Sequence, residues 1–188
     1  MNANTSYGYL EIIIGPMFSG KTSKLVEIYK QCKFCNIKVL TINHGMDKRY
    51  HETLMSTHDK TMIECVQVST INEVWSNNDI AAQYNASQVI LINEGQFFND
   101  LYDCVNKMIQ DGKKIYVCGL DGDFERKKFG QILDLIPLSD SVYKIASLCS
   151  LCKDGTSGIF SKRITTEKEQ TVIGSDNYLP VCRKCYSL

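Results

Sequence analysis

The amino-acid sequence predicts an α/β fold with a mostly parallel sheet, followed by a small cysteine-rich tail. Short apolar runs typical of buried strands alternate with segments of helical periodicity, which is the pattern of a parallel sheet covered by helices. Strands are predicted at residues 9–14, 38–42, 88–92, 114–120 and 142–148, with a minor strand at 63–68. From residue 149 onward, glycines, cysteines and short polar runs replace the long amphipathic segments. We therefore expect one domain at residues 1–148 and a second at 149–188.

The helices are predicted from apolar stripes and from their end signals. The stripe after the first strand consists of Leu25, Ile28, Tyr29 and Cys32. The stripe after the third core strand consists of Leu101, Cys104, Val105, Met108 and Ile109, and Gly112 ends it. Ser69 is a suitable N-cap for a short helix through Trp75. Residues 43–62 are polar and rich in turn-forming residues, which is typical of a functional loop.

Composition and charge limit the classes of function. The chain has 188 residues, of which 44% are hydrophobic, and its 21 basic and 21 acidic side chains balance. This balance argues against a surface that coats nucleic acid. The sequence lacks the roughly 18 consecutive apolar residues needed to cross a bilayer, and the polar N-terminus lacks a secretory layout. We expect a cytoplasmic protein with no membrane partner.

A phosphate-binding motif follows the first strand. Gly15, Gly20, Lys21 and Thr22 match G-x-x-x-x-G-K-[ST] between a strand and a helix. In such a P-loop the backbone N–H groups surround phosphate oxygens, the lysine reaches the β- and γ-phosphates, and the threonine hydroxyl binds Mg²⁺. The segment "NKMI" at 106–109 lacks the aspartate of a guanine-recognition motif. The motif therefore predicts ATP with Mg²⁺ as cofactor, and a P-loop (RecA-like) fold.

An acidic residue follows the third core strand. Glu94 lies just past the predicted end of that strand, at the sheet edge where open α/β proteins bind ligands. A carboxylate near a γ-phosphate can accept a hydroxyl proton during phosphoryl transfer, although a glutamate at a strand end is more often a solvated surface residue. Asp47 and Arg49, in the polar loop after the second strand, approach the same edge. An ordinary surface charge pair is the alternative for these two.

Four of the nine cysteines predict a zinc site. Cys149 and Cys152 form one C-x-x-C pair, and Cys182 and Cys185 form a second. Two such pairs supply the four thiolates of a closed, structural Zn²⁺ site. Metal binding would also stabilise a tail that is too small to build a core.

The other cysteines and the basic residues of the tail have alternative interpretations. Five cysteines lie in apolar patterns and are interpreted as small buried hydrophobic residues: Cys32, Cys35, Cys65, Cys104 and Cys118. The first two also form a C-x-x-C pair, for which a redox role is the alternative, but they continue a helix rather than begin one. The tail carries Lys162, Arg163, Arg183 and Lys184, so a zinc ribbon that grips nucleic acid is a rival interpretation.

Taken together, these motifs resemble the type II thymidine kinases of vertebrate cytosol, bacteria and large DNA viruses. The resemblance extends from about residue 9 to residue 186 and rests on motifs that occur in the family's order. They are "GPMFSGKT" (15–22), "DKRY" (47–50), "THD" (57–59), "EGQFF" (94–98), "LDGDFERKKFG" (120–130), "FSKR" (160–163), "VIG" (172–174) and "YLPVCRKCY" (178–186).

The resemblance implies transfer of the γ-phosphoryl group of ATP to the 5′-hydroxyl of thymidine, which gives dTMP. Glu94 matches the family's general base, and Lys21 and Arg49 complete the expected catalytic residues. The residues expected to bind the cofactor are Gly15, Pro16, Met17, Phe18, Ser19, Gly20, Lys21, Thr22, Asp47, Arg49, Asn93 and Gln96. A lasso-type loop at about Phe160–Tyr178 is expected to fold over the base and to hold it through main-chain groups.

The same resemblance identifies the remaining substrate-binding residues as Phe97, Leu120, Phe124, Phe129, Ser161, Gln170, Thr171, Val172, Ile173, Gly174 and Tyr178. It also implies a homotetramer and inhibition by the end product, dTTP. One departure concerns the metal. Asn93 stands where the family usually has aspartate, so we expect Thr22, water and the phosphates to hold Mg²⁺ more weakly. Ser161 replaces a common threonine and keeps the hydroxyl group.

Two other functions stay open at this point. One is a P-loop ATPase whose zinc ribbon binds nucleic acid, for which DNA- or RNA-stimulated ATP hydrolysis with a steep salt dependence is expected. The other is a nucleotide-binding sensor without catalysis, which only Asn93 suggests.

Overall fold

A six-stranded parallel sheet forms the centre of the computed structural model, which describes residues 7–46, 54–56, 62–172 and 174–188. The twelve strands in the described ranges are β1 Tyr9–Ile14, β2 Val39–His44, β3 Leu54–Ser56, β4 Met62–Glu64, β5 Val66–Val68, β6 Val89–Ile92, β7 Lys114–Gly119, β8 Ser141–Lys144, β9 Ser147–Leu148, β10 Ser157–Gly158, β11 Phe160–Arg163 and β12 Tyr178–Val181. The central sheet has the order β5-β2-β6-β7-β1-β8. All five neighbouring pairs in it are parallel.

Helices connect these strands and cover the sheet. The α-helices are α1 Lys21–Phe34, α2 Glu73–Ser76, α3 Asn78–Ala86, α4 Leu101–Gln110 and α5 Arg183–Tyr186. Three 3₁₀ segments lie at Gly95–Phe97, Ile132–Leu138 and Ser175–Asn177. Among the described residues, no helix is both long and apolar enough to span a bilayer.

The central strands are buried on both faces because their side chains alternate between two apolar clusters. In β6, Ile90 and Ile92 belong to the cluster that includes the buried side of α4. Val89 and Leu91, from the same strand, belong to the cluster that includes α1. Continuous apolar runs of this kind are what a parallel sheet with two covered faces requires. The predicted α/β fold class with a mostly parallel sheet is therefore confirmed.

The predicted strands and helices are largely present, with several differences. Helix α3 is absent from the prediction, although Asn77 caps it by accepting hydrogen bonds from the N–H groups of Asp79 and Ile80. The strand predicted at 142–148 is two strands, because β8 joins the central sheet whereas β9 pairs with β10. The connection between β7 and β8 contains a 3₁₀ segment rather than an α-helix.

The tail is built from two small antiparallel pairs and one short helix. β9 pairs with β10, β11 pairs with β12, and α5 follows. The buried apolar cluster of the tail consists of three cysteines and Val181. The predicted boundary between residues 148 and 149 falls directly after β9, which pairs with β10 of the tail.

The packing of α4 generates a test of the core. Leu101 is fully buried in the larger cluster. We expect Leu101→Ala to lower the free energy of unfolding by about 2–5 kcal/mol, because the smaller side chain leaves a cavity that the surrounding residues fill only partly. Urea denaturation measures this change. Gln110→Ala, on the exposed side of the same helix, is the control and should change stability by less than about 0.5 kcal/mol. Equal effects of the two substitutions would contradict the assigned packing of the helix.

Candidate active site

The phosphate loop connects β1 to α1 and depends on glycine at two positions. Gly15 has a φ of 153°, and a Cβ there would lie 2.1 Å from the carbonyl oxygen of Ile145. Gly20 has a φ of 86°, in the left-handed region, immediately before α1 begins at Lys21. Glycine tolerates these conformations, and so the chain can turn its N–H groups inward ahead of a helix N-terminus.

Lys21 lies across the loop that precedes it. Its ammonium group donates to the carbonyl oxygen of Pro16 at 2.6 Å and to Ser19 Oγ at 3.4 Å, and its side chain is buried. Ser19 Oγ donates to the same carbonyl at 2.8 Å. The loop is thus organised by its own side chains, with the lysine charge held where phosphate groups of a nucleotide would bind.

Asn93 lies directly after β6 and contacts the helix end of the phosphate loop. Its Oδ1 accepts from Thr22 Oγ1 at 3.5 Å and from Cys118 Sγ at 3.0 Å, and its Nδ2 donates to Asn43 Oδ1 at 2.9 Å. Asn93 and Asn43 are both 1% exposed. The two donors on one side and the acceptor on the other orient the amide, so that its oxygen faces Thr22.

This arrangement fits the magnesium ion implied by the motif. Mg²⁺ prefers oxygen ligands, and the Thr22 hydroxyl with the Asn93 carbonyl oxygen offers two neutral ones on the same side of the loop. The carboxylate that would add a formal charge is absent at position 93. Residues 22 and 93 would therefore hold the ion through oxygen dipoles together with the phosphates of the nucleotide.

Glu94 adopts an unusual backbone conformation next to Asn93. Its φ and ψ are 53° and 43°, in the left-handed region that non-glycine residues rarely adopt. Such a conformation is retained where the surroundings enforce it, often at functional sites. The side-chain amide of Gln96 donates to Glu94 Oε2 at 2.7 Å and accepts from the Leu120 N–H at 2.9 Å. The amide of Gln96 is thus placed to orient the carboxylate of Glu94, and its expected contact with the cofactor stays a prediction.

One cavity joins the phosphate loop, Glu94 and the tail. It is lined by Met17, Phe18, Ser19, Gly20, Lys21, Thr22, Ser23, Met46, Glu94, Gln96, Phe97, Leu120, Gly122, Asp123, Phe124, Phe129, Ser161, Gln170, Thr171, Val172, Gly174 and Tyr178. Most of the residues predicted to bind cofactor or substrate therefore lie around a single space. In particular, Lys21 and Glu94 face the same cavity rather than opposite sides of the molecule.

Aromatic side chains form an apolar part of this cavity. Phe97 and Phe129 pack edge to face with ring centroids 5.6 Å apart. His44 packs against Phe97 at 5.6 Å from the other side. Phe124 comes from the same 120–130 segment as Phe129 and also lines the cavity. Such a wall suits a flat, partly apolar ligand group such as a nucleobase.

Side chains of the tail contact the first part of the chain at several points. The Met17 N–H of the phosphate loop donates to Ser161 Oγ at 2.9 Å. Gln170 Nε2 donates to Asp123 Oδ2 at 2.8 Å, and Tyr186 Oη donates to the carbonyl oxygen of Phe124 at 2.6 Å. The tail thus closes one side of the cavity.

The four tail cysteines meet as a zinc site requires. Their sulfur atoms all lie within 4.8 Å of one another, and Cys152 Sγ is 3.8 Å from Cys182 Sγ and 3.5 Å from Cys185 Sγ. Tetrahedral zinc with Zn–S bonds of about 2.3 Å needs sulfur separations of just under 4 Å. Burial opposes ionisation of Cys149, but backbone N–H groups outweigh it and lower the pKa of this thiol to about 6. The cluster fits a structural Zn²⁺ ion.

The remaining cysteines do not form a second site among the described residues. Cys32, Cys104 and Cys118 are buried, as predicted, whereas Cys35 is exposed and Cys65 is half-buried. Burial raises the pKa of the Cys32 thiol, and raises that of Cys104 to about 12. The raised pKa of Cys32 disfavours its thiolate, which argues against a redox role for the first C-x-x-C pair.

Two of the four tail cations considered for nucleic-acid binding make contacts inside the tail. Arg163 is buried and faces its own loop. Lys162 donates to the carbonyl oxygen of Cys185, and the Arg183 guanidinium lies 5.1 Å from the Phe160 ring centroid. Contacts within the tail therefore occupy Lys162 and Arg163, whereas Arg183 and Lys184 are exposed.

Three predicted site residues lie outside the described residues. They are Asp47, Arg49 and Ile173. Their assigned roles stay predictions.

Sequence reasoning missed several residues around the cavity. Asp123 and Met46 line it, and Asn43 and Cys118 orient Asn93. Asn43 and Cys118 lie at or near strand ends on the edge where ligands bind, which is the signal that was available. Arg163 was considered only as a surface charge.

The parallel sheet, the phosphate loop and a carboxylate facing it define a P-loop phosphotransferase with room for a second, nucleoside-like ligand. Comparison with known proteins identifies the group more closely. A family model described as thymidine kinase matches residues 8–186, and the chain belongs to the thymidine kinase family.

Individual relatives have the same description. The thymidine kinase of Yaba monkey tumor virus is 41% identical over 184 residues, which cover 97% of each chain. The cytosolic thymidine kinase of Gallus gallus is 38% identical over 180 residues, which cover 95% of this chain and 77% of the relative. Among solved structures, domain III of the replication initiation protein DnaA from Thermotoga maritima shows a TM-score of 0.47 at 16% identity, over 77% of this chain and 57% of that chain.

The cysteine cluster generates a test. We expect the purified protein to carry about one zinc ion per chain, and Cys152→Ser to lose it in the presence of EDTA, because three thiolates hold the ion more weakly than four. Elemental analysis by mass spectrometry measures the zinc. Cys35→Ser, the same exchange at the exposed cysteine outside the cluster, should keep the wild-type zinc content. Retention of zinc by Cys152→Ser would exclude the four-cysteine site.

Proposed function

We propose that this protein is an ATP:thymidine 5′-phosphotransferase, which produces dTMP for DNA precursor synthesis. One observation carries the proposal: Lys21 of the phosphate loop and Glu94 line one cavity, which Gln170, Thr171, Val172 and Gly174 also line. Membership of the thymidine kinase family supports thymidine as the substrate. ATP is proposed as the phosphate donor on the basis of the P-loop and the missing guanine-recognition motif.

In the proposed reaction, Glu94 accepts the proton of the thymidine 5′-hydroxyl as its oxygen attacks the γ-phosphorus of ATP. A bond forms between the 5′-oxygen and the γ-phosphorus, the bond from that phosphorus to the β,γ-bridging oxygen breaks, and ADP leaves. Gln96 orients the carboxylate through its 2.7 Å hydrogen bond. Lys21 and the loop N–H groups stabilise the charge that spreads over the transferring group.

The other proposed contacts surround this centre. The Thr22 hydroxyl and Asn93 Oδ1 would hold Mg²⁺, which would neutralise charge on the β- and γ-phosphates. The nucleoside is proposed to contact Phe97, Leu120, Phe124, Phe129 and Ser161. The loop from Gln170 to Tyr178 is proposed to cover its base. Asp47 and Arg49 are proposed to act beside the phosphates. A homotetramer, inhibition by dTTP and a cytoplasmic location complete the proposal, and the resemblance of the sequence to the family supports all three.

The alternatives have less support. A P-loop ATPase with a nucleic-acid-binding zinc ribbon would need the tail cations to be available, and the contacts of Lys162 and Arg163 within the tail argue against that. A sensor without catalysis was suggested only by Asn93, whose oxygen nevertheless faces Thr22.

Glu94 provides the direct test of the reaction. We expect Glu94→Gln to lower kcat for dTMP formation at least about a hundredfold, because the amide cannot accept the hydroxyl proton. A radiolabelled-thymidine assay measures the rate, and binding of ATP should be little changed. Glu27→Gln, which removes a carboxylate from the exposed side of α1, is the control. A kcat for Glu94→Gln close to that of the wild type would refute the proposed base.

Asn93 provides a separate test of the metal site. We expect Asn93→Asp to lower the Mg²⁺ concentration for half-maximal rate, because a carboxylate beside Thr22 adds charge to a site built from neutral oxygens. Magnesium-dependent binding of a non-hydrolysable ATP analogue should shift in the same direction. Asn43→Asp places the same charge further from Thr22, because Asn43 bonds to Asn93 and Asn93 contacts Thr22. It should therefore lower the magnesium requirement less. An unchanged magnesium requirement in Asn93→Asp would contradict this interpretation.

A further inference from the structure

The guanidinium group of Arg163 lies at the centre of the loop that covers the cavity. Arg163 is the last residue of β11 and is 9% exposed. Its Nη1 donates to the carbonyl oxygens of Glu167 at 3.0 Å and Glu169 at 2.5 Å. Its Nη2 donates to the carbonyl oxygen of Gln170 at 3.0 Å and to Tyr178 Oη at 2.6 Å. One side chain therefore connects three main-chain groups of the loop to the strand at its beginning and to the tyrosine at its end.

Tyr178 extends the hydrogen-bond network of Arg163 to residues that line the cavity. Its hydroxyl donates to the carbonyl oxygen of Val172 at 3.2 Å and accepts from the N–H of the same residue at 3.3 Å. Gln170 is also tied to Asp123 through its side chain. Gln170, Val172 and Tyr178 all line the cavity. Gln170, Val172 and Tyr178, which Arg163 holds directly or through Tyr178, are thus among the residues expected to bind the base.

The guanidinium group of Arg163 packs against an aromatic ring of the 120–130 segment. Its carbon lies 3.7 Å from the ring centroid of Phe124, in a cation–π contact, and 5.1 Å from that of Tyr178. Phe124 is in turn fixed to the tail, because its carbonyl oxygen accepts from Tyr186 Oη. The guanidinium group of Arg163 therefore packs on the Phe124 ring with one face and donates hydrogen bonds to the loop carbonyl oxygens from its edge.

Hydrogen bonds to neutral oxygen atoms compensate the charge of Arg163. Within the described ranges, its recorded hydrogen bonds all go to carbonyl and hydroxyl oxygens, and no carboxylate lies within ion-pair distance. A buried cation is costly unless hydrogen bonds compensate for lost water. If the loop moved away, the guanidinium would lose most of its acceptors while still covered by Phe124. The cation therefore favours the closed loop.

We propose that Arg163 is a positioning residue that holds residues 167–172 closed over the cavity, and thereby sets the affinity for the nucleoside. The identity of that ligand rests on the proposed function, but the role of Arg163 in the loop does not. The planar fork of arginine reaches several acceptors at once, which a lysine ammonium on the same strand cannot reproduce. Arg163→Lys should therefore restore only part of what Arg163→Met loses.

The loop is tested first without nucleoside. Endoproteinase Glu-C cleaves after glutamate, and Glu167 and Glu169 are exposed residues in the gripped segment. We expect cleavage there to be at least about tenfold faster in Arg163→Met than in the wild type, with Arg163→Lys in between. Lys168→Met removes a cation from an exposed position of the same loop and should be cleaved at the wild-type rate. Unchanged cleavage in Arg163→Met would overturn the proposal.

Kinetics then test the consequence for the ligand. We expect Arg163→Lys to raise KM for thymidine at least about tenfold, while KM for ATP and kcat stay within about threefold, since the phosphate loop and Glu94 are untouched. Equal losses in all three parameters would overturn the positioning role. If Arg163→Met fails to fold, Tyr178→Phe removes one anchoring hydroxyl and should also speed Glu-C cleavage; failure to do so overturns the proposal. A wild-type protein that leaves thymidine unphosphorylated would refute the proposed function alone, because the cleavage result stands without it.

Discussion

The parallel register of β6, β7 and β1 is the constraint on which the site depends. Ile14, the last residue of β1, pairs with Gly119 of β7, and Ile92, the last residue of β6, pairs with Val117. The three strands therefore end at nearly the same level of one sheet edge. The phosphate loop, the Asn93–Glu94 pair and the segment that starts at Leu120 leave the sheet there together. This register brings a lysine and a carboxylate, more than seventy residues apart in the sequence, to one cavity.

What the sequence predicted well were features with a local signature. The phosphate loop has a fixed spacing between a strand and a helix, and the four clustered tail cysteines form two C-x-x-C pairs; both were recognised from residue types alone. Glu94 followed from its place at a strand end. These features are determined by a few neighbouring residues, so their interpretation does not depend on the full tertiary structure.

The features that the sequence did not reveal depend on contacts between distant segments. Cys118 orients the amide of Asn93, and Arg163 stacks on Phe124, but nothing in the neighbouring residues indicates either pair. Arg163 in particular was interpreted as a surface charge, because a single basic residue has no periodicity that marks it as buried. The base-covering loop came from the family resemblance, since main-chain recognition leaves no side-chain signature.

The way in which Arg163 grips its loop has a consequence for sequence variation. Its three loop acceptors are main-chain carbonyl oxygens, whereas the side chains of Glu167 and Glu169 are exposed. Exchange of those side chains leaves the acceptors in place, but an insertion or deletion between β11 and Gln170 shifts them out of reach. Evolution can therefore alter the composition of this segment freely, provided that its length is kept.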